Sequence, residues 1–314
     1  MGAECVFRVL VIKVRLRPVA RLAFPENAGV AIRGALGYVL PEGVFRPRRT
    51  VGPSGLRDTP RAFVLRVRHL DGRTIEAGEN FEIGLNLFAP GLEGVFREAL
   101  QRRGATGVGR GQVKLEWLGW EAREVTCELA AGEGVGLGRA DLGLLVHPLP
   151  DGRGSEAGDD TPAQPLPLVA APLHGRGPEV QRGSEGQSIC VKFLTPTELK
   201  GWDGEGLPPF EVVAARARDR VSALQAVYGG GEPALDFRGL GERAREVHTV
   251  EGSIDWVRGK RKSARTGQTH PLAGFRGIVR YVGVLGEFVP LLRAACYTGI
   301  GRQTVWGHGE IALE

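Results

Sequence analysis

Apolar and polar positions alternate in short runs along the chain, shift to a helical rhythm, and return to alternation. ECVFRVLVIKVRL (4–16) alternates as a half-buried strand does. NAGVAIRGALGYVL (27–40) predicts a helix weakened by its glycines, and AFVLRVRHL (62–70) and FEIGLNLF (81–88) predict strands. Leu92, Val95, Phe96, Ala99 and Leu100 fall at i, i+3, i+4 spacing, with Pro90 near the start and Gly104 as a stop. That is a helix, and QVKLEWL (112–118) after it reads as a strand.

The second half runs through the same order. SICVKFLTP (188–196) predicts a strand. Residues 209–228 give the strongest helix, with Phe210, Val213, Ala214, Ala217, Val221, Leu224 and Tyr228 on one face. EVHTVEGSIDWV (246–257) is a strand or hairpin arm and FRGIVRYVGVL (275–285) a strand. Phe288, Leu291, Leu292, Ala295 and Cys296 mark a last helix, and GEIALE (309–314) a last strand. Each half therefore reads β-α-β-β-α-β, which predicts an α+β chain of two tandem ferredoxin-like (RRM-like) domains.

The repetition reaches individual residues. TGVGR (106–110) recurs as TGIGR (298–302), 192 residues on, and at that offset Phe96 falls on Phe288 and Leu100 on Leu292. One supersecondary unit has been used twice. Between the copies, residues 151–187 hold seven Gly, five Pro and no aromatic residue, and cannot supply a core. The expected organisation is an N-terminal domain over 1–150, a Gly/Pro-rich linker or insertion over 151–187, and a C-terminal domain over 188–314.

Composition adds little until charge is located. With 41 Lys+Arg against 36 Asp+Glu in 314 residues, the net charge of +5 is mild. Its distribution is uneven: RGKRKSARTGQTHPLAGFRGIVR (258–280) holds seven basic residues and no carboxylate, a local field that attracts polyanions. FRPRRT (45–50) is a second basic cluster. Trp256 borders the first run and Trp306 lies in the final glycine loop; each is open to two readings, a base-stacking ring or a core ring. The four cysteines, Cys5, Cys127, Cys190 and Cys296, form no C-x-x-C pair, so neither a disulfide framework nor a zinc site is indicated and a reducing cytoplasm is expected. No segment approaches the length of a membrane span.

Candidate chemistry narrows quickly. The glycine loops lack G-x-x-x-x-G-K-[ST], and the Rossmann pattern fails because Thr304 stands where its last glycine belongs, so no nucleotide cofactor is expected. The duplicated loops, with Arg110 and Arg302 at matching places, instead suggest contact with a nucleic-acid backbone, Gly299, Gly301, Gly307 and Gly309 shaping the second one. His69, His147, His174, His248, His270 and His308 show no metal-binding spacing. His270, inside the basic run, is the first candidate for proton transfer, and His308 lies in the closing loop.

These pieces together resemble a known family. GFRGIVRYVG, then FVPLLRAACYTGIGRQTVWGHGEIAL, is similar to the closing signature of Cas6 proteins, the CRISPR repeat-processing endoribonucleases of the RAMP superfamily. AIRGALGYVLP (31–41), FEIGLNLFAPGLEGVFREALQRRGATGVGR (81–110), VKFLTPTELK (191–200) and DWVRGKRKSAR (255–265) resemble further segments, so the likeness spans nearly everything but the linker. It implies two ferredoxin-like domains, no cofactor and no metal. It also implies cleavage of CRISPR precursor RNA within each repeat by attack of the substrate's 2′-hydroxyl, leaving a 2′,3′-cyclic phosphate and a 5′-hydroxyl. The implied partners are precursor RNA or crRNA, with other Cas proteins as further candidates, for a monomer or homodimer away from membranes. Arg258, Lys260, Arg261, Lys262, Arg265, Arg302, Arg110, Arg46, Arg48 and Arg49 are the expected RNA contacts.

One departure stands. Many members of the family carry a catalytic histidine on or just after the first helix, and residues 27–60 contain none. Arg33 and Tyr38, with Arg46, Arg48 and Arg49, are the suitable groups there. Three alternatives stay open: catalysis through these, through His270 or His308 of the other domain, or no cleavage at all, as in a non-catalytic RAMP subunit that holds crRNA inside an effector complex.

Overall fold

A computed structural model describes residues 6–47, 59–109, 111–129, 187–262 and 269–314. Two four-stranded antiparallel sheets organise them. The first takes β1 (Val6–Pro18), β3 (Phe63–Arg66), β5 (Phe81–Leu87) and β6 (Leu115–Glu128) in the order β3-β5-β1-β6. Helices α1 (Ala28–Leu36) and α3 (Glu93–Thr106) pack on it, while β2 (Leu22–Ala23), β4 (Thr74–Ile75) and the single turn α2 (Glu42–Phe45) are additions. The second sheet takes β7 (Gln187–Thr197), β8 (His248–Val257), β11 (Gly274–Gly283) and β12 (Ile311–Leu313) in the order β12-β7-β11-β8. Here α4 (Phe210–Tyr228), α5 (Phe237–Ala244) and α6 (Val289–Thr298) supply the helices. In both sheets the first strand of the unit lies between its third and fourth, the ferredoxin-like order the repeat predicts.

Local chemistry fixes the elements. Asn27 starts α1 by accepting the Val30 N–H at 3.0 Å, and the Ala28 N–H, also unpaired within the helix, donates to Asp71 at 2.8 Å. Pro290 sits in the first turn of α6, where its missing N–H costs nothing, and Gly299 ends that helix at positive φ. The α4 stripe of Phe210, Val213, Ala214, Ala217, Val221 and Leu224 is buried throughout, so truncating Leu224 to Ala would cost about 2–5 kcal/mol.

Several boundaries move for physical reasons. The strand expected over 62–70 stops at Arg66 and turns through Arg68–Leu70, which carries Asp71 to the head of α1. The strand expected over 112–118 starts at Leu115 and continues to Glu128, although its second half is polar, because β1 offers a full-length ladder from Pro18↔Leu115 to Val6↔Glu128. Helix α5 is unannounced in the sequence, its eight residues including two glycines. Beyond the second sheet, β9 (Lys260–Lys262) and β10 (Thr269–Pro271) continue the β8 and β11 arms as one long hairpin, joined through Leu272 N–H to Gly259 O. The linker expected over 151–187 lies outside the described residues except for Gln187.

The two cores interlock. Val305, from the loop after α6, is buried among Leu10, Ile12, Ile32 and Phe63 of the first domain's core. Phe7, Val9, Val64 and Phe88 of the first domain are buried with β7, α4 and α6 of the second.

Candidate functional site

The glycine loop that follows α6 is the joint between the domains. A Cβ on Gly301 would stand 2.3 Å from Glu198 O, and one on Gly309 1.9 Å from Ile300 O, so backbone packs directly on backbone at both. Both residues also have positive φ. Loop amides turn inward: Ile300 N–H donates to Gly309 O at 2.8 Å, Arg302 N–H to Glu198 O at 3.1 Å, and Gly309 N–H to Pro196 O at 3.1 Å. Ile300, Thr304, Val305 and His308 are buried. These glycines allow close packing of backbone on backbone, and the amides of Ile300, Arg302 and Gly309 serve the protein itself. Arg302, expected on RNA, is exposed and holds Glu198 Oε1 at 2.7 Å.

The twin loop differs in surroundings. Gly107 and Gly109 also take positive φ, and Gln112 matches Gln303 as a left-handed non-glycine residue. Yet Val108 and Val113 close it into a small turn on its own domain's surface, and Arg110 lies outside the described residues.

Helix α1 meets the second loop at three points. A Cβ on Gly29 would lie 1.9 Å from Trp306 O, so helix and loop touch through backbone. The Asn27 amide nitrogen donates to His308 Nε2 at 2.5 Å, which places the ring proton of a neutral imidazole on Nδ1. Burial drives the His308 pKa down to about 4, and at 3 % exposure the ring is closed to substrate. His308 is thus a latch rather than the acid–base group left open above. Third, the Arg33 guanidinium carbon lies 4.7 Å from the Phe45 ring centre and 5.1 Å from that of Trp306, a two-sided cation–π clamp.

Around this joint stand more of the expected residues. Tyr38, 77 % exposed just past α1, has the Arg103 guanidinium 5.5 Å from its ring centre. Arg46 is exposed beside Phe45, whose carbonyl accepts Arg61 Nε–H at 2.9 Å. Arg48, Arg49 and Arg265 lie outside the described residues. Arg258 is exposed at the root of the long hairpin, Lys260, Arg261 and Lys262 form one arm, and His270 pairs in register with Arg261 on the other. The structure therefore sets Arg33 against the loop through Trp306, places Arg46 beside Phe45 and Tyr38 beside Arg103 on the same domain, and carries His270 on the hairpin of the other.

Sequence reasoning missed the groups that hold the joint. Arg66 Nη2 donates to the carbonyls of Cys296 and Tyr297 at 2.9 and 2.8 Å, and Asn86 Nδ2 to Tyr297 O at 2.9 Å. Two side chains of the first sheet thereby cap the carbonyl end of α6, where positive charge is favourable. They line an interdomain cavity of about 540 Å3 with Arg68, His69 and Glu310. Burial lowers the pKa of Arg66 and of His69. The available signal was polarity on a buried strand, Arg66 within FVLR and Asn86 within FEIGLNL. Among the described residues, no cluster of His, Cys, Asp and Glu is suited to a metal ion, and no helix is long and apolar enough to cross a membrane.

The family model for the CRISPR-associated endoribonuclease Cas6 matches residues 191–311. No curated protein matches the chain. Among solved structures, a Cas6 product complex is similar at 15 % identity and a TM-score of 0.52, over 98 % of this chain and 100 % of that one. A partial Cas6-RT-Cas1–Cas2 complex is similar at 12 % identity and a TM-score of 0.53, over 98 % of this chain and 46 % of that one. At these identities the structural likeness speaks for the fold.

Proposed function

We propose, from the match of residues 191–311 to the Cas6 family model, that the chain is a CRISPR-associated endoribonuclease of the Cas6 type, which binds CRISPR repeat RNA and cleaves it without a metal ion. The substrate strand lies against the C-terminal half of α1 beside the glycine loop. Its 2′-hydroxyl attacks the adjacent phosphorus, the 5′-oxygen leaves, and a 2′,3′-cyclic phosphate and a 5′-hydroxyl result. The observation that carries this reading is the clamp of Arg33 between Phe45 and Trp306, a fixed cation at the seam of two domains. Preorganised positive charge is what a pentavalent phosphorane needs, since it acts without reorganising during the reaction.

Arg33 stabilises the developing charge and Arg46 contacts a neighbouring phosphate. The exposed Tyr38 hydroxyl holds a proton at one reacting oxygen. His270, brought by a hairpin that follows the RNA backbone through Arg258, Lys260, Arg261 and Lys262, serves the other. One assay tests the whole: the protein is incubated with a repeat RNA in EDTA and the ends are mapped. A single cut with a cyclic phosphate, abolished by a 2′-deoxy nucleotide at that position, is expected. Tight binding without a cut would select the second reading, a crRNA-holding subunit. The burial of His308 and the lack of any histidine over 27–60 favour that one.

A further inference from the structure

Trp256 is the widest side chain the described fold leaves in solvent: the residue is 52 % exposed, near the end of the edge strand β8. It is not loose. The Trp202 ring lies 5.8 Å away at 18°, nearly parallel, and Phe275 meets it edge-on at 6.1 Å. Gly204 closes on its six-membered ring so tightly that a Cβ there would come within 2.7 Å. The buried Phe275 is already covered by Trp202, whose ring stands 4.9 Å away at 81°. The second indole therefore adds rigidity and an outward face more than cover. The Trp202 N–H is used within its own turn, on Glu205 O at 3.0 Å, while the Trp256 N–H makes no hydrogen bond among the described residues.

Charge around the ring supports one kind of occupant. Two residues on, the exposed Arg258 forms no ion pair among the described residues, and it opens the 23-residue run free of carboxylates. Of the nearby carboxylates, Asp203 accepts the Glu205 N–H at 3.1 Å, and Asp255, next to Trp256 on a strand, belongs to the opposite face. A flat, immobilised ring at the root of a basic arm suits a flat, neutral ligand attached to a polyanion.

We propose that Trp256 is a stacking platform for one unpaired nucleobase of the repeat RNA, backed by Trp202 and lying where the strand enters the hairpin. This rests on the RNA-binding reading above and adds a contact that reads base rather than phosphate. Stacking tolerates any base, so the platform would select an unpaired nucleotide over a paired one at that position.

The test measures repeat-RNA binding by fluorescence anisotropy across a salt series, for the wild type, Trp256→Ala and Trp256→Phe. Each is run with intact RNA and with RNAs carrying one abasic site at each unpaired position in turn. Trp256→Ala should weaken binding about 5- to 150-fold. Its salt slope should stay that of the wild type, because no charge is removed. Trp256→Phe should recover most of the loss, and one abasic position should erase the difference between wild type and Trp256→Ala. Equal binding by all three proteins, or a loss that every abasic RNA shows alike, overturns the platform. Should Trp256→Ala lose its fold, the Trp256→Phe and abasic arms still decide. Failure of the wild type to bind repeat RNA at all would instead overturn the RNA-binding reading.

Discussion

Gly29→Ala isolates the contact between α1 and the glycine loop, because the substitution should help the helix and harm the joint. In a helix, Ala is favoured over Gly by up to about 1 kcal/mol. The added Cβ, however, would sit 1.9 Å from Trp306 O, and side-chain carbons are essentially never found under 3.0 Å from such an atom. Loop and helix must part by about 1 Å. The carbonyl belongs to a residue pinned by Val305 in the first core and by His308 on Asn27, so it cannot turn aside cheaply. A displacement of about 1 Å at a reacting centre can lower a rate about a hundredfold. Gly34→Ala, on the same helix with nothing within 4 Å of the new Cβ, is the matched control. Single-turnover cleavage of repeat RNA, with melting temperatures for all three proteins, gives the answer. The expectation is a cut slowed about a hundredfold in Gly29→Ala, with a lowered melting temperature because the overlap costs about 1–3 kcal/mol against a helix gain of up to about 1 kcal/mol, and wild-type cleavage in Gly34→Ala. Cleavage by Gly29→Ala within threefold of wild type would refute the placement of the site at this joint.

His308, with its pKa lowered from 6.5 to about 4, leaves the unfolded chain holding a proton between those values that the folded chain refuses. Stability from this source is full above pH 6.5 and falls as the pH drops toward 4, by at most about 3 kcal/mol. Asp71, raised from 3.8 to about 6 chiefly by burial, acts oppositely, its contribution fading as the pH rises through that window. Thermal melts of His308→Gln against wild type should therefore show a shallower acid loss in the variant; parallel curves would contradict the latch. His270→Ala should slow cleavage about a hundredfold or more if the ring moves a proton; a rate within a few-fold of wild type clears it of that role. Arg258→Ala and Arg261→Ala should each weaken RNA binding and reduce the salt slope by about 0.7, one phosphate's worth for a single strand. Unchanged slopes would take the hairpin away from the RNA backbone.

The architecture was legible because it rests on local signals. The alternation of β1, the stripe of α4 and the stop of α6 at Gly299 are each written within a dozen or two residues, whereas α3 runs through the stop expected at Gly104 to Thr106 and ends at Gly107. The joint was not legible, because its parts are far apart in the chain. Asn27 and His308, or Arg66 and Tyr297, become neighbours only once two domains have packed. The glycines of 299–309 looked like a ligand cradle for the same reason: high glycine content signals close approach of backbone, and sequence cannot say whether the approaching group is foreign or the chain's own. His308 read as a titrating group until its partner and its burial were known.

Val305 belongs to one domain by sequence and to the other by packing, and Phe7, Val9, Val64 and Phe88 repay the exchange in the opposite direction. A tandem duplication ordinarily yields two foldons that can open one at a time. Here, opening either one strips apolar side chains from its neighbour. The shared packing runs through the glycine loop on one side and the first sheet on the other, so neither core is complete without the other half of the chain.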